Sequence, residues 1–132
     1  MVDTPLVTTI SKDKECVTLV NTFFTSGPQE QDQLVKILTD LAEEAMKHQA
    51  GFISSNIHRS YDGSTVMSYV QWRSTEHWRA AFQKPEAQKH VKHLIERYKR
   101  EVAWYQVIHI SQAADSIPNS PVSKDMCDFK SG

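Results

Sequence analysis

Two strand-forming runs, Phe52 to Ser60 and Thr65 to Arg73, flank the tetrapeptide Tyr61-Asp62-Gly63-Ser64. Asp-Gly between such runs is a strong hairpin signal, because a tight primed turn needs positive φ and glycine takes it without steric cost. The two runs are therefore expected to pair antiparallel, and the rest of the chain has to fold around that hairpin.

Upstream, Cys16 to Thr25 is dense in Val, Thr, Leu and Phe. Alternation sets Val17, Leu19, Asn21 and Phe23 on one face of a first strand. Ser26-Gly27-Pro28-Gln29 reads as a helix start, with Ser26 and Gln29 at capping-box spacing and Glu30 and Asp32 near the positive end of the helix dipole. Leu34, Ile37, Leu38, Leu41, Ala45 and Met46 recur at helical spacing until Gly51, where the helix is expected to stop. Downstream of the hairpin, Ser74 opens a second helical stretch with Trp78, Ala81 and Phe82 on one side. Pro85 interrupts it, and Ala87, Val91, Leu94, Ile95 and Tyr98 continue the period. Ala103 to Ser111 reads as a fourth strand.

Strand, helix, strand, strand, helix, strand is the split βαβ, ferredoxin-like order of an α+β fold, with helices on one face of an antiparallel sheet. Met67 and Tyr69 alternate against Val66, Val70 and Trp72, so both sheet faces are too apolar to meet water. A homodimer is the expected cover. Residues 15–112 form the expected domain, between a flexible segment 1–14 and a Ser, Pro, Asp and Lys tail 113–132 without periodicity.

At 132 residues the chain has the size of one domain with a real core. Its net charge of −1 argues against the broad positive field that nucleic-acid binding demands. No apolar window is long enough to span a bilayer and no apolar signal core opens the chain, so a cytoplasmic protein with no membrane partner is expected. Cys16 and Cys127 have no C-x-x-C spacing and are read as reduced.

Asn21 places an amide within an apolar strand, and Trp72 an indole near the end of another. A polar group and an indole aimed into an apolar hollow look like a small-molecule site. Ser68 shares the face of Trp72. On the second strand, Asn56 and His58 share parity with Phe52, so either is a candidate to tip into the hollow, His58 as a proton acceptor. The competing reading turns them to solvent or to the dimer partner. His77, His90 and His93 lack the carboxylate frame and converging ligands of a metal site, so no metal is expected. Lys84, Lys89, Lys92, Arg97, Lys99 and Arg100 are read as the solvated face of the second helical stretch.

The pieces VTLVNTF, H-Q-A-G-F, SSNIHRSYDG and SYVQWRSTEHWRAAFQKPEAQKHV, in this order and spacing, resemble the antibiotic biosynthesis monooxygenase family from Val17 to about Tyr98. The resemblance implies a dimeric α+β barrel in which each subunit holds its own pocket. It also implies oxidation of phenolic or anthrone-like aromatic polyketides to quinones by molecular oxygen as co-substrate, with no metal, flavin or heme. Asn21 resembles the family's first-strand asparagine that contacts the substrate oxygen, and Trp72 the tryptophan of an N-x-x-x-W pattern. Ser68 stands where that pattern has asparagine, a shorter group with one donor instead of two. Trp78 resembles an aromatic that lines the pocket in some relatives. A heme-degrading branch adds a helix histidine, but Ala81 and Phe82 occupy the corresponding turn, so heme degradation is not expected.

Asn21 and Trp72 are thus the catalytic candidates. Ser68, Asn56, His58, Trp78 and Phe82 are the substrate-binding candidates. Two other functions remain open on the residues alone: a non-oxidative aromatic cyclase and a small-molecule-binding dimer without chemistry.

Overall fold

The structure, a computed structural model, describes residues 6–8, 10–13 and 15–114. Cys127 and all but the first two residues of the expected tail lie outside the described residues.

Four strands form one antiparallel sheet in the order β2-β3-β1-β4, where β1 is Val17–Phe24, β2 Phe52–Arg59, β3 Thr65–Trp72 and β4 Arg100–Tyr105. Helices α1 (Pro28–Glu44), α2 (Thr75–Phe82) and α3 (Pro85–Arg97) complete the ferredoxin-like α+β order. Several boundaries differ from the sequence expectation for definite reasons. The first helix starts at Pro28 behind Gly27, with no side-chain cap. The carboxylate that closes its N-terminus is that of Glu30, which accepts the Ser26 backbone N–H at 3.0 Å, so the Ser26–Gln29 box is not formed. The helix ends at Glu44, followed by a 3₁₀ turn, Met46–His48, before Gly51. The last strand runs over Arg100–Tyr105 instead of the expected 103–111, its pairing with β1 extending from Phe23↔Arg100 to Thr18↔Tyr105, one residue short of the start of β1 at Val17.

The β2–β3 connection is a longer loop than the two-residue primed turn. Ser60 N–H donates to the Thr65 carbonyl at 3.0 Å across four loop residues, and Gly63 alone has positive φ, +80°. Asp62 accepts from the Ser60 and Ser64 hydroxyls and the Ser64 N–H. These bonds hold its carboxyl down at about 2, below the usual aspartate range. The hairpin is tied to α1 by buried Gln31, whose Nε2 donates to the carbonyls of Ser60 and Thr65, both at 2.9 Å. Ser74 caps α2 as expected, its hydroxyl accepting the His77 N–H at 3.1 Å.

The core lies between the sheet and the helices in two clusters. Phe23, Leu34, Leu38, Val66, Leu94 and Tyr98 form one, and Ala45, Met46, Trp72, Ala81 and Ala87 the other. The opposite sheet face is covered in part by the N-terminal segment. Thr8 bonds Asn56, and Ser11 bonds fully buried Gln71 through its N–H and its carbonyl. Cys16 is buried where β1 begins, and burial pushes its thiol up from the ordinary value.

Candidate active site

The helix-covered face of the sheet is set by register. On β1 and β3 the pairs Val17↔Trp72, Leu19↔Val70, Asn21↔Ser68 and Phe23↔Val66 all point toward the helices. Above them lies a cavity of about 310 Å³, at the small end of ligand sites. Leu38, Leu41 and Met46 close it from the α1 side, Trp78 and Phe82 from α2, and Val91, Leu94 and Ile95 from α3. The fourth strand contributes Arg100 and Val102.

Asn21, half-buried, and Ser68, buried, meet across the strand pair, where the amide Nδ2 donates to the serine hydroxyl at 3.2 Å. Ser68 accepts that bond, which leaves its own proton, the second amide N–H and the amide oxygen for a ligand. Trp72 borders the same cavity but at its other end. It lies four residues beyond Ser68, roughly 13 Å along a strand. Its indole is 1 % exposed and meets Phe52 edge to face at 5.3 Å. Trp78 stands beside Phe82 at 5.0 Å and meets Trp104 edge to face at 5.2 Å. The cavity therefore has a hydrogen-bonding end and an aromatic end, with Asn21 and Trp72 dividing them.

Asn56 and His58 are not part of it. The pairing of β2 with β3 runs Phe52↔Trp72 and then Ser54↔Gln71, so Ile53 is the extra residue of a bulge. One inserted residue exchanges the faces of everything after it. Ser55 and Ile57 turn into the cavity, whereas Asn56 and His58 turn to the far face, opposite Tyr69 and Met67. Asn56 there accepts the Thr8 hydroxyl at 2.6 Å, and His58 is exposed. Trp78 and Phe82 do line the cavity, as expected. Ser55 and Arg100 were missed, the first through the bulge and the second because helical spacing was carried through Tyr98 into the residues that begin β4. The alternation Arg100, Val102, Trp104 is the signal that would have found it.

No group of three or more His, Cys, Asp or Glu that could hold a metal occurs among the described residues, and no described helix is long and apolar enough to cross a membrane.

Fold and site together define a ferredoxin-like domain with an aromatic, sparsely polar cavity. The family description "antibiotic biosynthesis monooxygenase" matches residues 17–93. The chain is 39% identical over 82 residues to the tetracenomycin-F1 monooxygenase of Streptomyces glaucescens, covering 62% of this chain and 72% of that protein. Among solved structures it resembles the ActVA-Orf6 monooxygenase of Streptomyces coelicolor in complex with nanaomycin D, with TM-score 0.66 and 23% identity over 77% of this chain and 96% of that one. It also resembles SnoaB, a cofactor-independent oxygenase of Streptomyces nogalater, with TM-score 0.58 and 21% identity over 72% and 95%. These two likenesses establish the fold. The chain belongs to the antibiotic biosynthesis monooxygenase family. It is accordingly an enzyme of the monooxygenase class.

Proposed function

We propose that the cavity binds a phenolic or anthrone-like aromatic polyketide and oxidises it to a quinone with molecular oxygen and no cofactor. The observation that carries this reading is the Asn21–Ser68 hydrogen-bonded pair at one end of a mostly apolar, aromatic cavity whose other polar lining is Ser55 and Arg100. Dioxygen is a triplet and reacts poorly with closed-shell molecules, but an electron-rich phenolate or enolate gives it one electron. The resulting radicals combine to a peroxide at the substrate carbon. Loss of water then leaves the new carbonyl, so one methylene and one dioxygen become one quinone carbonyl and one water. The substrate supplies the electrons. The protein's task is to favour the ionised substrate, orient it and keep water away, which calls for fixed donors and apolar walls. Asn21 and Ser68 are the donors in this proposal, and Trp72, Trp78 and Phe82 the walls.

Oxygen uptake by metal-stripped protein supplied with an anthrone tests it, with one dioxygen consumed per quinone expected. Absence of both uptake and quinone, together with an Asn21→Ala variant indistinguishable from wild type, would end the oxygenase reading. Ser68 in place of asparagine favours a second reading, a non-oxidative aromatic cyclase. Product formed at full rate under anaerobic conditions would establish that alternative.

The proposal includes a cytoplasmic homodimer. β4 is a sheet edge whose six residues are all exposed, Val102, Trp104 and Tyr105 among them, with Ile108 and Ile110 following. An apolar unpaired edge is a surface that a second copy would cover. Light scattering is expected to give twice the chain mass.

A further inference from the structure

Arg100 is the only charged side chain bordering the cavity among the described residues, and nothing that lines it is an Asp, Glu, His, Lys, Tyr or Cys. The proposed chemistry needs an ionised substrate, yet no side chain in the cavity can take the proton. Arg100 sits at the hydrogen-bonding end. Asn21 faces Ser68 on one side and Val102 on the other, and Arg100 is the next inward position along β4, opposite Phe23. That makes it a diagonal neighbour of Asn21 at roughly 7–8 Å between backbones, within reach of a long side chain. Hydroxyl and amide are thus cross-strand partners on β3 and β1, and Arg100 starts from the adjacent strand β4 one inward position along from them. No ion pair among the described residues occupies the guanidinium. Its surroundings do not oppose it: β1 carries no ionisable side chain, Glu101 alternates to the other sheet face, Lys99 precedes the strand, and His93, Glu96 and Arg97 on α3 are exposed.

We propose that Arg100, with Asn21 and Ser68, holds the substrate as its phenolate, the proton passing to bulk water instead of to a protein base. The inference rests on the aromatic-ligand reading above but not on turnover. It assigns Arg100 contact with the substrate oxygen and makes acidity of the bound phenol a property of the site. An opposite charge within about 4–6 Å favours the ionised form by roughly one to three pH units.

The test titrates bound 2-hydroxyanthraquinone by its visible absorbance, anaerobically, with anthraquinone-2-carboxylate as the comparison ligand. In wild type the phenol is expected to ionise at least about one pH unit below its value in solution. Arg100→Gln loses most of that shift and moves the acid limb of the kcat–pH profile upward by a similar amount. Arg100→Lys restores much of it. Arg97→Gln, which removes an equal charge outside the cavity, leaves both in place. A midpoint equal to that of the free phenol, or an unchanged shift in Arg100→Gln, overturns the proposal. So does Arg100-dependent binding of the carboxylate without any movement of the phenol. If neither ligand binds, the aromatic-cavity reading falls and this inference with it. An Arg100-dependent shift without oxygen consumption leaves the inference standing and removes the oxygenase reading.

Discussion

The two ends of the cavity are built to different standards of burial. At the aromatic end Trp72 is 1 % exposed and packs among Ala45, Met46, Ala81 and Ala87, so its indole is as much core as wall. At the polar end Asn21 is half-buried, and its side-chain bond goes to Ser68 alone among the described residues. The difference separates two kinds of importance. A side chain enclosed on every side holds the fold, whereas a polar group with unused hydrogen-bonding capacity facing a cavity is available for chemistry. Both residues resemble family positions, but their environments assign them unequal parts.

That contrast breaks most readily at Trp72. Trp72→Ala is expected to cost about 3–5 kcal/mol of stability, read by denaturant unfolding. An alanine variant as stable as wild type would show that the indole is a free wall. Next comes Asn21→Ala, expected to lower kcat/KM about 100-fold or more while the melting temperature barely moves. Equal losses of stability and activity at both positions would erase the distinction between the ends. Gly51 sharpens the picture at the aromatic end. It has φ +84°, its carbonyl accepts the Arg73 N–H at 2.7 Å just past Trp72, and an added Cβ would lie 2.2 Å from His77 Cγ. Gly51→Ala should therefore cost at least about 1–2 kcal/mol from the left-handed backbone alone, with more from the clash.

The smallest effect belongs to Asp62, at the hairpin tip outside both ends. Its carboxyl titrates at about 2 instead of 3.8, so its contribution to stability is complete above the ordinary aspartate value and is lost as pH falls from 3.8 through about 2. Asp62→Asn is expected to melt a few degrees below wild type near neutral pH, about 1–3 °C, with the gap narrowing from about pH 4 and closing below about pH 2, and activity unchanged. A gap that persists in acid would show that the hydroxyl and N–H bonds to Asp62 do not depend on its charge.

The inward faces of β1 and β3 were legible in the sequence because uninterrupted alternation leaves one assignment. Val17, Leu19, Asn21 and Phe23 face Trp72, Val70, Ser68 and Val66 as the period requires. The element order was legible for the same reason, with Gly63 and Pro85 marking a loop and a helix break. β2 was not, because a bulge at Ile53 leaves no trace in a run of Ile, Ser, Ser and Asn. That one residue moved Asn56 and His58 out of the site and brought Ser55 in. Arg100 was hidden by composition. Preceded by Lys92, Arg97 and Lys99, it looked like one more solvated helix charge, and the pairing Phe23↔Arg100 is what places it on a strand. Gln71 was hidden too, since the partner that bonds both ends of its amide is Ser11, sixty residues away in sequence.

A structure with an aromatic ligand soaked into the cavity tests this division of labour most directly. The account predicts a ligand oxygen within hydrogen-bond distance of Asn21 Nδ2 and the Ser68 hydroxyl, with the rings running toward Trp72, Trp78 and Phe82. A ligand bound the other way round, its oxygen among the tryptophans and its hydrocarbon against Asn21, would contradict it.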